Sequence, residues 1–319
     1  MPQAFLDLAP AARFAAVVFA LLSLATLLVA LLGWWKPQAA SRELRERTSS
    51  WWWMATLLFA AVYVGDLPSL AFFAFLSFWA LKEYVTLLDT RAADHGALVL
   101  AFLSIPVQYF WVWRNDYGLF TIFIPVYVFL MLPVRLVLAR ETAGFVDSAS
   151  RIQWGLMAFV FGLSHLRYVA SFPAAAGGRA DGRALLLFLV FVAEISDVFQ
   201  FVWGKTLGRH KVIPSVSPNK TWEGLLGGVA TAMLLSLGLR FLTPFSVRET
   251  LLVSLVVCLA GFLGGAVMSA VKRDFGVKDF GALIPGHGGM LDRLDSLCYA
   301  APLFFHYVRY FHYYGFGVR

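Results

Sequence analysis

Between Ser269 and Asp295 the chain crowds together Lys272, Arg273, Asp274, Lys278, Asp279, His287, Asp292, Arg293 and Asp295, with glycines at positions 281, 286, 288 and 289. Ionisable groups at the edge of an apolar span are costly and usually functional. Each residue type here suits nucleotide phosphate chemistry. Asp292 and Asp295 are three apart, a spacing that puts both carboxylates on one helix face. Such a pair can chelate a divalent cation such as magnesium through hard oxygen ligands. Lys272, Arg273, Lys278 and Arg293 can neutralise phosphate oxygens, the arginines in bidentate fashion. Pro285-Gly-His-Gly-Gly289 is a glycine-rich turn whose backbone N–H groups can approach phosphates closely. Taken singly, each feature also has a structural reading. Acids at a helix start answer the dipole, basic residues anchor the cytoplasmic side, His287 can be a hydrogen-bonded framework group, and glycines make tight turns. Their co-occurrence within one segment favours a site.

A second polar stretch, Gly204-Lys-Thr-Leu-Gly-Arg-His-Lys211, runs on into Ser215-Val-Ser-Pro-Asn-Lys-Thr-Trp-Glu-Gly224. Ser217 reads as an N-cap and Pro218 as the first helical residue. Lys220 is then expected at a helix N-terminus, a natural anion site; the alternative is a basic interfacial loop. Gly204-Lys-Thr lacks the spacing of a P-loop. Upstream, Glu194 and Asp197 lie three apart within an apolar run, where two carboxylates call for a partner, a cation or a proton; a buried hydrogen-bonded pair is the bland reading. Lys82-Glu83 is a lesser polar pair, read as structural.

These residues must be held by membrane helices. Of the 319 residues 60% are hydrophobic and 14% charged, against about 25% charged in soluble domains, and mean hydropathy is +0.73. A bilayer span needs roughly 20 apolar residues. Ten are drawn, at 12–35, 51–65, 67–88, 96–113, 118–139, 152–172, 184–204, 222–243, 250–271 and 296–314. The count is nine if Asp66-Leu67-Pro68 is a kink. Spans in lipid must be helical to satisfy their backbones, so the expected fold is an all-α polytopic bundle. Its active site falls in the C-terminal half at the cytoplasmic face. Residues 1–172 form the N-terminal helices. Residues 184–319 form a catalytic region with loops 205–220 and 272–293.

Placing loops 36–50, 82–95, 135–151, 205–220 and 272–293 on one side gathers every lysine and most of the 26 basic residues. By the positive-inside rule that side is cytoplasmic. The net charge of +7 is assigned to these loops and an anionic substrate, not to nucleic acid. The run from Ala11 to Trp35 reads as a retained first span and not a cleaved signal. Cys258 and Cys298 read as small buried apolar residues, and the six histidines show no zinc-type spacing.

With these residues in view, Ser269-Ala-Val-Lys-Arg-x4-Lys-Asp-x-Gly-x2-Ile-Pro-x-His-Gly-Gly-Met-x-Asp-Arg-Leu-Asp295 resembles the phosphatidate cytidylyltransferase (CDP-diacylglycerol synthase) signature along its length. Ser215 to Gly224 resembles the same family's second stretch, and Asp197 matches an Asp that precedes it. The likeness covers about residues 190–300. Where the family has a small residue and then Ala-Tyr after that Asp, this chain has Asp197-Val-Phe-Gln-Phe201, which resembles a divergent bacterial branch and leaves the lipid acceptor open. The resemblance implies a magnesium-dependent transfer of CMP from CTP to phosphatidic acid, with one ion or two, at a bacterial inner membrane. The expected roles are metal binding by Asp197, Asp292 and Asp295 and phosphate binding by Lys220, Lys272, Arg273, Lys278 and Arg293. Asp279 belongs to the same catalytic segment, and Ser217 and His287 with Gly288 and Gly289 shape the site. Expected partners are CTP, phosphatidic acid and membrane lipids, with a homodimer left open. The rivals are a CTP-dependent polyprenol kinase, an enzyme activating another lipid phosphate, and, from Glu194 and Asp197, an ion-coupled transporter.

Overall fold

A computed structural model of the chain describes residues 10–35, 42–174, 181–284, 286 and 288–314. Among the described residues it is almost wholly helical. We number ten long helices: α1 (Pro10–Trp35), α2 (Arg42–Tyr63), α3 (Asp66–Val85), α4 (His95–Arg114), α5 (Tyr117–Val137), α6 (145–170), α7 (Gly182–Leu207), α8 (Trp222–Gly238), α9 (Val247–Asp274) and α10 (Leu291–His312). Gly65, at φ 131°, breaks the chain between α2 and α3. That conformation suits glycine, and it makes the second and third spans separate helices. The all-α polytopic architecture expected from composition is what forms. Helices α5 and α6 each contain one π-helical stretch, Phe123–Val128 and Leu156–Gly162.

Among the described residues, five segments are long and apolar enough to cross a bilayer by themselves: Ala12–Trp35, Ala92–Arg114, Tyr117–Val137, Gly182–Leu207 and Val247–Asp274. Helix α1 is the extreme case, with Leu21, Leu24, Leu27, Leu28 and Leu31 all about half exposed to the surroundings. It is held by Phe19 against Trp52 and Phe59 of α2. Helix α10 is different. It carries Asp292, Arg293, Asp295 and Arg309, and a span with such charges must face protein. Most of α10 is indeed buried.

Small residues let these helices approach. A methyl group at Gly264 of α9 would come 2.7 Å from the Asp295 carbonyl, and one at Gly162 of α6 would come 2.8 Å from the Cys298 carbonyl, both on α10. At Gly228 of α8 it would meet Gln200 of α7 at 2.4 Å. Helix α10 is thus gripped by α9 on one side and α6 on another, with α7 and α8 packed as a pair. Near its C-terminal end, Phe305 packs against Phe120 of α5 and His165 and Tyr168 of α6.

The loop after α7 corrects one local expectation. Ser217–Thr221 is not the start of a helix but strand β2, paired antiparallel with β1 (Lys211–Ile213), with Thr221 opposite Lys211 and Ser217 opposite Ile213. The helix cap is Thr221, whose hydroxyl accepts the Gly224 N–H at 3.1 Å. Glu223 then reaches back across the hairpin to the Arg209 and His210 N–H groups and to the His210 ring. Pro218 fits at an exposed edge strand, where its missing N–H costs nothing.

Candidate active site

Three polar stations meet where α7, α9, α10 and β2 converge. The first is Lys220. From β2 its side chain runs inward to donate to the Phe262 carbonyl of α9 at 3.3 Å, lying 4.5 Å from the Phe262 ring centre. A methyl at Gly265 would stand 3.1 Å from its Nζ and 3.8 Å from Asp295 Oδ2, so the ammonium and that carboxylate face the same gap beside α9. Burial pushes the Lys220 ammonium below its usual range, while the charges of Asp197 and Asp295 oppose that fall.

The second station is acidic. Asp197 of α7 and Asp295 of α10 lie within electrostatic reach of each other and of Lys220, and Glu194, one turn before Asp197, feels Asp197, Asp295 and Arg293. These carboxylates have few donors. Asp295 accepts only the Ser296 N–H at 2.7 Å, and Asp197 only a 3.5 Å contact from Gln200 Nε2, among the described residues. Arg293 is half-buried and its Nε has no hydrogen-bond partner there.

The third station is the turn before α10. Asp292 is 7% exposed. Its Oδ1 accepts Lys272 Nζ at 2.8 Å, and its Oδ2 accepts the Phe280 and Gly289 N–H groups at 2.8 and 2.9 Å. A buried carboxylate held by a lysine and two amides is a rigid latch between α9, the turn and α10. Gly288, at φ 83°, sits so close that a methyl would come 2.9 Å from Asp292 Oδ2. Both conformation and space demand glycine there. Ile284 N–H to Gly288 carbonyl at 2.8 Å closes the turn.

The structure therefore gathers Asp197, Lys220, Lys272, Asp292, Arg293, Asp295, Gly288 and Gly289. Arg273, Lys278 and Asp279 lie exposed on the rim, with Arg273 Nη1 making a 3.4 Å contact to the Val277 carbonyl. Ser217 is half-buried at the start of β2, and His287 lies outside the described residues. Among the described residues, no three His, Cys, Asp or Glu side chains form a group able to hold a metal ion.

Residues 45–311 match the cytidylyltransferase family. The chain belongs to that family. Among its relatives is the uncharacterized protein YnbB of Escherichia coli (strain K12), 44% identical over 297 residues, 92% of this chain and 97% of YnbB. A phosphatidate cytidylyltransferase of Staphylococcus haemolyticus (strain JCSC1435) is 31% identical over 258 residues, 78% of this chain and 94% of its own. One from Staphylococcus aureus (strain COL) is 39% identical over 127 residues, 39% of this chain and 49% of its own. Family membership accords with a nucleotidyltransferase built into a membrane.

One residue whose position in the sequence suggests only a structural role also reaches the turn before α10. Glu83, near the end of α3, is 5% exposed and bonds directly to that turn. Its oxygens accept the Met290 N–H at 3.0 Å and the Leu291 N–H at 2.8 Å. The one available signal was an acid at the end of an apolar helix, a costly placement.

Proposed function

We infer that this protein transfers CMP from CTP to phosphatidic acid, giving CDP-diacylglycerol and pyrophosphate, at the cytoplasmic face of a bacterial inner membrane. The observation that carries this reading is a half-buried lysine facing Asp295 and within electrostatic reach of Asp197, two carboxylates with few hydrogen-bond donors, with a half-buried arginine beside them. That mixture suits two phosphorylated substrates better than one neutral ligand. A relative named for the same activity aligns over most of both chains.

In this reading the ionised phosphate of phosphatidic acid attacks the α-phosphorus of CTP. A new P–O bond forms, the α–β P–O bond breaks, and pyrophosphate leaves with the electron pair. No nucleophilic side chain is required, so the protein contributes position and charge. Lys220 and Arg293 neutralise phosphate oxygens, and Lys272 holds Asp292 while adding positive charge nearby. Magnesium fits the donor set, since Asp197 and Asp295 offer hard oxygens that few donors claim. Those two carboxylates would hold it, and Asp292 would join only by sharing the oxygen now bonded to Lys272. When bound, the ion neutralises charge on the phosphates.

The test is purified full-length protein in detergent with phosphatidic acid and CTP labelled at the α-phosphate. Label should pass to the lipid, whose mass should match CDP-diacylglycerol. Transfer of label only from γ-labelled CTP, leaving CDP, would mean a kinase. Ion flux without CTP consumption would mean a transporter.

A further inference from the structure

Helix α10 begins with Asp292 and Asp295 in its first turns, so its N-terminus must be placed accurately. It does not cap itself, for its N-cap residue Met290 makes no side-chain capping bond. The missing acceptors come from 207 residues away. Glu83 Oε1 accepts Met290 N–H (3.0 Å) and Oε2 accepts Leu291 N–H (2.8 Å). Trp79, one turn earlier on α3, donates to Oε1 at 3.1 Å and fixes the carboxylate from behind. The fit is tight. A methyl on Gly281 would come 2.8 Å from Glu83 Oε1, and one on Gly289 would come 2.6 Å from Oε2. The free amides at the start of α10 are thus divided between two carboxylates, Asp292 taking Gly289 and Glu83 taking Met290 and Leu291.

We propose that Glu83 is a positioning residue for the reaction: a cap supplied by the N-terminal helices that sets where Asp292 and Asp295 stand. This gives α3 a task in a site whose other members belong to the C-terminal half. A carboxylate suits it because both oxygens only accept, and a negative charge at a helix N-terminus is favourable. Glutamine offers one acceptor and turns an NH₂ toward an N–H group. Alanine offers none.

The kinetic part of the test rests on the cytidylyl-transfer reading; the other part does not. Wild type, Glu83→Gln and Glu83→Ala are purified as full-length protein. For each, kcat and KM for CTP, thermal unfolding, and hydrogen exchange of peptides across 281–296 are measured. Groups that orient a site from behind are typically worth about 10–100-fold. Glu83→Ala should lose that much in kcat, with Glu83→Gln between it and wild type. Exchange should quicken across 281–296 alone, with the unfolding midpoint little changed. Wild-type kcat and exchange in Glu83→Gln would overturn the proposal. So would quickened exchange throughout the protein with a fallen midpoint, which is the mark of a merely structural group. If Glu83→Ala does not accumulate, Glu83→Gln decides alone. If wild type consumes no CTP, the functional reading fails while the exchange comparison still decides whether Glu83 holds the turn.

Discussion

At the scale of single residues, Asp292 and Asp295 stand three apart on one helix yet have opposite surroundings. Asp292 is committed to Lys272, Phe280 and Gly289, whereas among the described residues Asp295 accepts a single N–H, that of Ser296. Their substitutions should therefore fail differently. Asp295→Asn keeps the shape and removes the charge facing Lys220. Turnover should be abolished while expression and thermal unfolding stay near wild type, as an assay and a melt on the same preparation would show. Lys272→Met should instead strand the Asp292 carboxylate in a buried site. Breaking one side of such a pair costs about 3–5 kcal/mol, so unfolding should shift sharply. Adding Asp292→Asn, which leaves an oxygen for the Phe280 and Gly289 amides, should recover much of that loss. A double variant no more stable than Lys272→Met would show that the ion pair is not what holds the turn.

At the scale of elements, the helices were legible because membrane spans announce themselves through long apolar runs, and the crowding of charge at 269–295 and near Lys220 was legible for the same reason in reverse. What the sequence concealed was local or distant. Ser-Pro-Asn-Lys-Thr has no periodicity, and Ser217-Pro218 imitates a cap followed by a first helical residue. The hairpin wins because Thr221 reaches Gly224 while Glu223 ties back to Arg209 and His210. Ser217→Ala should accordingly leave stability within a few tenths of a kcal/mol, while Thr221→Ala loses about 1 kcal/mol, measured by denaturation in detergent. The tie from Glu83 was concealed by its separation from Met290, which no pattern rule spans. The close contact of α9 and α10 is equally specific. Gly264→Leu must push against the Asp295 backbone and should cost about 1–3 kcal/mol, with activity lost alongside stability. A fully active, wild-type-stable Gly264→Leu protein would mean that the two helices can separate without disturbing Asp295.

At the scale of the whole molecule, the loops that build the site must share one face of the membrane, and the fold makes that a topological statement. The β1–β2 hairpin precedes α8, and the turn before α10 follows α9. Because α8 and α9 pack as an antiparallel pair joined at residues 239–246, both loops emerge at the same end. Lysines concentrate there, and the positive-inside rule predicts that this end faces the cytoplasm. Labelling can test both claims, since the native Cys258 and Cys298 are buried and should ignore a membrane-impermeant maleimide. Single cysteines at the exposed positions His210 and Lys278 should label in inside-out vesicles and not in intact cells. Cysteines at the exposed Ala174 and Arg248, at the other end, should do the reverse. The two readings separate cleanly. A swap of all four would leave the fold standing and reverse its orientation, so CTP would have to arrive from the wrong compartment. A split between positions 210 and 278 would be more damaging. Lys220 and Asp295 could then not meet beside Gly265, and the phosphate site proposed for them would have no physical basis.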